Sequence, residues 1–295
     1  MKKNLVITGA NGWLGKSLLK LISLHYKTSF NVYPLSNSVN RIIVDKNTIF
    51  ETKNFYENLT FPGDLILFHF AFLTKDKIPN LGKDAYLEQN FNITQGLKSI
   101  IENNNVSELV YISSGAIYKK NDLYSDLKTK DEIFFKELCF NKNINLLIPR
   151  LFNIGGPYIN KHQDYALSNF ILQALNSRSI IIQSKHLTYR SYIHVYDFLN
   201  ICLKWVLDVN KDNFFEFDTR GNEIIEIGEL AYKISEFFDY CSIMRNPIKN
   251  KSFQDNYCGN IFNQNLLTSK YGITLKELSQ IISDTIFYIK QEYKI

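Results

Sequence analysis

The chain has 295 residues, of which 45% are hydrophobic, 21% charged and 14% aromatic. That is enough apolar material to bury a substantial core, and it excludes disorder as the main state. Thirty-four basic against 29 acidic side chains leave a net charge of +5, and the lysines are dispersed, so nothing indicates a nucleic-acid partner.

In chain order, a strand is expected from Asn4 to Thr8, then a glycine turn and a helix with apolar positions at Trp13, Leu14, Leu18, Leu21 and Ile22. Further strand-like runs are Asn31 to Leu35, Arg41 to Val44, Asp64 to Phe70, Glu108 to Ile112 and Ile144 to Ile148. Leu87, Phe91, Ile93, Leu97, Ile100 and Ile101 mark a long helix between two of them. Gly155-Gly156-Pro157 then breaks the rhythm, and helices are expected at 165–176, 195–208, 227–239 and 274–290 with short strands between them. Alternating strands and helices give an α/β fold: a Rossmann-type doubly wound parallel sheet over residues 1–150. Residues 151–295 form a smaller C-terminal α/β region, from which the chain can cross back to the sheet. Ligands of such sheets lie at the strands' carboxyl edge.

No apolar run reaches the ~18 residues of a membrane span, and the start MKKNLVITG is too polar for a signal peptide. A cytoplasmic protein without a membrane partner is expected. Cys139, Cys202, Cys241 and Cys258 are scattered, which suggests reduced structural thiols and no metal site.

Thr8-Gly9-Ala10-Asn11-Gly12-Trp13-Leu14-Gly15 follows the first strand and opens the first helix. Glycines there let a pyrophosphate approach backbone amides and a helix N-terminus. A dinucleotide coenzyme is therefore expected on Gly9, Asn11, Gly12, Trp13, Leu14 and Gly15. NAD-binding sheets end the second strand in a carboxylate that takes the ribose hydroxyls. Here that strand ends in Ser36-Asn37-Ser38, with Arg41 close behind. Hydroxyls, an amide and a guanidinium suit a 2′-phosphate, which favours NADP(H). NAD(H) stays open, with Asp45 as the group that would serve it.

Tyr124 and Lys128 stand four residues apart, on one face of a helix. A neighbouring cation favours the phenolate and is expected to lower the tyrosine's pKa. The spacing alone carries little weight in a chain with 18 tyrosines. Its position carries more: Ser113-Ser114, ending an apolar strand, comes ten residues earlier, and a serine there can bond the same substrate oxygen as the phenol. His69, at the end of another apolar strand, reads as a core histidine.

These motifs together resemble the extended short-chain dehydrogenase/reductases, the group that contains UDP-glucose 4-epimerase and dTDP-glucose 4,6-dehydratase. The opening resembles T-G-A-x-G-x-x-G, and His69-Phe70-Ala71 resembles the H-x-A beside the coenzyme. Asn90 matches a buried asparagine of the group. Ser113 to Tyr118 resembles the active-site serine stretch, with Ser114 at the catalytic position, and Tyr124 and Lys128 match Y-x-x-x-K, with Glu132 where a glutamate commonly follows. Arg150 to Pro157 is similar to R-x-F-N-x-x-G-P, and Arg190 to Asp197 to R-D-Y-I-H-V-x-D.

The resemblance implies catalysis by Ser114, Tyr124 and Lys128, with Phe70, Ala71 and Asn90 added to the coenzyme contacts. It also implies a nucleotide-sugar substrate touched by Ser114 and Asn153, its phosphate held by Arg190. A homodimer through helices near 84–102 and 122–140 is implied as well. The 4,6-dehydratases follow the catalytic hydroxyl residue with Asp-Glu, whereas this chain has Gly115 and Ala116, so dehydration lacks its proton carriers. Only five residues separate Tyr118 from Tyr124, and sugar specificity does not transfer across so short a loop. The expectation is NAD(P)-dependent hydride transfer at C4 of a nucleoside-diphosphate sugar, as a 4-keto-sugar reductase. Two alternatives are an NAD-dependent 4-epimerase and a non-catalytic NAD(P)-binding sensor or scaffold.

Overall fold

The computed structural model describes residues 2–119, 122–163 and 165–294. The chain divides into two compact units, the first being Met1–Arg150 with Cys202–Glu216 and the second Leu151–Ile201 with Phe217–Ile295. The division falls after residue 150, and residues 202–216 cross back to the first unit, where the strand Phe214–Asp218 joins the sheet.

In the first unit the elements are β1 (Lys3–Thr8), α1 (Trp13–Leu21), β2 (Phe30–Ser36), β3 (Arg41–Asp45), β4 (Thr48–Glu51), β5 (Leu65–His69), α2 (Lys83–Asn103), β6 (Val106–Tyr111), α3 (Leu123–Asn141) and β7 (Asn145–Leu151). The sheet order is Phe214–Asp218, β7, β6, β5, β1, β2 and a short edge strand Lys53–Asn54, with Ser113–Ser114 pairing to β7. The pairings from β2 through β7 are parallel. This is the doubly wound, Rossmann-like sheet, and its order reverses between β1 and β5. Both strands are runs of buried Leu, Val, Ile and Phe, as expected for parallel strands covered on both faces. β2 tolerates Pro34 because its outer edge pairs only at Leu35 and Ser36, so no ladder bond is lost at the proline.

The expected strand at Arg41 to Val44 forms, yet outside the main sheet: β3 and β4 make an antiparallel hairpin. The turn is set by Asp45, whose Oδ1 accepts from the Asn47 N–H at 2.8 Å. Only alternate residues of β3 are buried, which fits a one-sided hairpin rather than a central strand.

The second unit pairs Asn153–Gly155 with Tyr192–His194 and Ser179–Ile182 with Ser242–Arg245, both parallel. His186–Arg190 lies between Ile225–Glu226 and Asn250–Tyr257. Its helices include Ala166–Ser177, Ile227–Ser235, Phe262–Tyr271 and Leu278–Tyr293, and Val195–Leu207 carries the chain back toward the first unit. The helix Phe262–Tyr271 has no sequence-level counterpart: Phe262 and Leu266 are exposed, and little but Gln264 and Leu267 is buried. Among the described residues, no helix is long and apolar enough to cross a membrane.

Candidate functional site

Register places three strand ends in one row. Thr8 of β1 lies opposite His69 of β5, and His69 opposite Tyr111 of β6. The segments that follow, Gly9 onward, Phe70-Ala71 and Ile112 to Ser114, therefore leave the sheet at the same edge, beside the point where the strand order reverses.

Gly9 has φ +64°, and a Cβ on it would lie 2.7 Å from the Ala71 nitrogen. Only glycine permits the two loops to meet there. Gly12 caps α1 without a side-chain acceptor, and a Cβ on Gly15 would strike Ala10 at 2.5 Å. Gly9 thus closes the turn, Gly12 leaves helix amides uncapped, and Gly15 packs the helix against it, an arrangement that fits a dinucleotide pyrophosphate. Asn11 is exposed, Trp13 buried and Leu14 half-buried. The Asn90 amide is engaged elsewhere: its Oδ1 accepts from the Leu73 N–H at 2.9 Å and its Nδ2 donates to the Tyr86 and Leu73 carbonyls. It fixes the loop after β5 rather than pointing freely at a ligand.

Beyond β2, the buried Ser36 hydroxyl bonds Thr52 Oγ1 at 2.9 Å and the Ser38 carbonyl. Asn37 and Ser38 are exposed. Arg41 pairs with Glu51 at 3.2 Å on the hairpin surface. Asp45 pairs with Lys20 at 2.7 Å, and that bond, helped by the Asn47 amide, lowers its pKa to about 2.

Asp122 caps α3 by accepting from the Tyr124 N–H at 2.9 Å. That cap starts the helix where Tyr124 falls in its first turn and Lys128 one turn later. Ser114 is buried; its Oγ accepts from the Ala116 N–H at 3.1 Å, and its hydroxyl lies near enough to the Tyr124 phenol to favour the phenolate. The ring of Phe72 meets Tyr124 edge-on with centroids 5.6 Å apart, and Lys128 Nζ sits 3.8 Å above the same ring. The Lys128 ammonium also donates to the Ile112 carbonyl at 2.8 Å and to Tyr111 Oη at 3.3 Å. Tyr111 in turn donates to the buried Asp131 at 3.0 Å, which also accepts from Thr94 at 3.1 Å.

The expected depression of the Tyr124 pKa is not found. Burial raises it, Asp122 and Asp76 add to the rise, and the nearby Ser114 hydroxyl opposes them. The reason is geometric: the ammonium's three directions are taken by Ile112, Tyr111 and Phe72. Burial brings the Lys128 pKa down to about 8, with Asp131 and Glu132 holding it up. Phe72, Tyr111 and Asp131 escaped the sequence reading. Asp131 stands three residues after Lys128 on one helix face, a signal that was present, whereas the Tyr111 contact depends on strand pairing.

His69 is buried, bonded through Nδ1 to the Thr8 hydroxyl at 2.8 Å and stacked on Tyr111. Burial, reinforced by Lys128, lowers its pKa to about 3. With the folded value depressed below the unfolded one near 6.5, the neutral ring's contribution to stability is whole above pH 6.5 and is lost as pH falls through about 3. Melting temperature should therefore drop as pH falls from 6.5 toward 4, and the drop should be shallower in His69→Asn. Equal slopes for the two proteins would contradict this placement of the ring.

Within the second unit, Asn153 Nδ2 donates to the Ser191 carbonyl at 3.4 Å and the Tyr257 carbonyl at 3.2 Å. Arg190 bonds Asp255 at 2.7 Å and lies over the Tyr257 ring. Asn153 and Arg190 thus share Tyr257 as a neighbour. Arg150 belongs to the first unit, where it forms a fork on Glu132 at 3.1 and 2.9 Å and also reaches Glu216 at 2.9 Å.

Known proteins share this architecture. UDP-N-acetylglucosamine 4-epimerase from Methanobrevibacter ruminantium M1, solved with UDP-N-acetylmuramic acid, superposes with a TM-score of 0.76 at 18% identity over 99% of this chain and 100% of its own. A dTDP-glucose 4,6-dehydratase from Bacillus anthracis in complex with NAD gives 0.73 at 14% identity over 99% and 98%. Pal from Bacillus thuringiensis gives 0.73 at 16% identity over 98% and 99%. At these identities the likeness is one of fold. Comparison with curated protein sequences finds no match. The model of the NAD dependent epimerase/dehydratase family matches residues 5–217. The chain belongs to that family, an enzyme of the extended short-chain dehydrogenase/reductase type.

Proposed function

We propose that the enzyme reduces a 4-keto-hexose carried on a nucleoside diphosphate, with NADP(H) as coenzyme. The observation that carries this reading is the gathering of the Ser114 hydroxyl, the Tyr124 phenol and the buried Lys128 ammonium at the sheet's carboxyl edge, with Phe72 packed against both the phenol ring and the ammonium. The coenzyme, when bound on the Gly9 turn, supplies the hydride. Ser114 and Tyr124 hold the reacting oxygen, and Tyr124 Oη gives its proton to that oxygen as it gains charge. A phenol whose pKa is raised by burial stays protonated, the form that a reduction requires. Lys128, its ammonium already bonded to Ile112 and Tyr111, places positive charge beside the nicotinamide ribose. Gly115 and Ala116 offer no acid or base to expel water, so the reaction stops at hydride and proton transfer. Asn153 and Arg190 belong to the substrate's nucleotide side. Exposed Phe91 on α2 with Ile133 and Phe140 on α3 supports a homodimer built on these helices.

A second reading, 4-epimerisation with retained NAD(H), is favoured by one observation. Glu51 pairs with Arg41, and its carboxylate would repel a 2′-phosphate brought to that guanidinium. The test is to assay purified protein with NADPH and NADH against 4-keto-hexoses on uridine, thymidine, cytidine and guanosine diphosphates. Net oxidation of NADPH, one per sugar reduced, is expected. Tightly held NAD with sugar interconversion and no added reductant would overturn the reductase in favour of the epimerase.

A further inference from the structure

The sequence holds six arginines, and five of them have a protein partner. Arg41 pairs with Glu51, Arg150 with Glu132 and Glu216, Arg190 with Asp255, and Arg245 with Glu226. Arg178, on the surface, donates to the Asp239 carbonyl. Arg220 is the exception: half-buried, it has no carboxylate or carbonyl on its guanidinium among the described residues, and its Nε is buried without a hydrogen bond. An Nε–H taken out of water without an acceptor costs stability, and such a cost is characteristic of a site completed by a ligand.

The backbone that presents this side chain is held firmly. Gln264, fully buried, accepts from the Arg220 N–H at 2.9 Å and donates to the Arg220 carbonyl at 2.7 Å. The next residue, Gly221, donates to Ser191 Oγ at 3.0 Å, and a Cβ on it would lie 1.9 Å from the Tyr192 carbonyl oxygen. The preceding Thr219 accepts from the Phe152 N–H at 2.9 Å. Arg220 therefore stands where the segments carrying Phe152-Asn153, Arg190-Ser191 and Tyr257-Cys258 converge. Burial raises the Cys258 thiol's pKa, and both Arg220 and Arg190 act on it in the opposite sense.

Arg190 differs in kind. Its guanidinium spends its bonds on Asp255 Oδ2 at 2.7 Å and on the Asp255 and Tyr189 carbonyls, so its charge is already compensated. We propose that Arg220 supplies the uncompensated positive charge that binds the diphosphate of the nucleotide substrate, while the Arg190–Asp255 pair braces the strands beside it. This assignment rests on the substrate class proposed above. A guanidinium fork matches two phosphate oxygens, and charged hydrogen bonds of this sort dominate recognition of such groups.

The test is calorimetric titration of the full-length protein with UDP, dTDP, CDP and GDP, with inorganic pyrophosphate in parallel. Arg220→Gln should weaken the preferred nucleoside diphosphate about 10- to 100-fold, the effect of a lost charged hydrogen bond. Arg220→Lys should recover part of it, and the surface control Arg178→Gln should bind as wild type does. Arg220→Gln should melt no lower than wild type, since no pairing is lost. Unchanged affinity in Arg220→Gln overturns the assignment. Should the wild type bind pyrophosphate alone, and Arg220→Gln lose it, the anion site stands and the nucleotide-substrate reading falls. Binding of neither ligand class by the wild type overturns both.

Discussion

Replacing Tyr124 by phenylalanine is expected to lower kcat about 10²- to 10⁴-fold and to leave coenzyme affinity and melting temperature unchanged. The change removes one hydroxyl. Ring packing against Phe72 survives, Ser114 keeps its bond from the Ala116 N–H, and none of the Lys128 hydrogen bonds runs to Tyr124. The loss therefore falls on proton transfer, which separates a catalytic phenol from a structural one. Steady-state rates with NADPH and coenzyme titration by fluorescence measure the two halves of this expectation. A variant that turns over at the wild-type rate would remove Tyr124 from the chemistry.

Gly9→Ala should carry two separate costs. The positive φ carries about 1–2 kcal/mol for a residue with a Cβ, and overlap with the Phe70–Ala71 backbone at 2.7 to 3.0 Å adds about 1–3 kcal/mol. Gly272 is the natural control, because its φ of +62° is nearly the same and nothing lies within 4 Å of its virtual Cβ. Gly272→Ala should show the conformational cost alone. Gly9→Ala should show the larger loss in urea or thermal unfolding and, where it still folds, much weaker coenzyme binding. Equal losses for the two variants would mean that the loop after β5 moves aside freely, and the close approach of the two loops would then carry no weight.

How much was legible beforehand follows from range. The Gly9 turn and the Tyr124 and Lys128 spacing are fixed by neighbours within a few residues, so periodicity and turn chemistry reached them. The partner of Lys128 was not reachable in that way. That the ammonium turns to Tyr111 and Phe72 depends on β5 and β6 lying side by side, and its effect on Tyr124 was misjudged for that reason. The same holds for the arginines. Arg190 drew attention through its motif, yet its charge is spent on Asp255, 65 residues away. Arg220 belongs to no recognisable pattern and stands out only because every other arginine has a partner. Arg41 to Val44 read correctly as a strand, but one run of residues does not reveal whether its partner is β2 or the next turn of chain.

The central claim is that a hydroxyl, a phenol and an ammonium gathered at one sheet edge serve hydride transfer to a nucleotide-linked sugar. Its most direct measurement is mass spectrometry of the sugar product formed from NADPH deuterated at the nicotinamide C4. The account predicts one deuterium per product, located at sugar C4 and absent when Tyr124→Phe replaces the wild type. Product formed without deuterium from either face of the labelled coenzyme would contradict it.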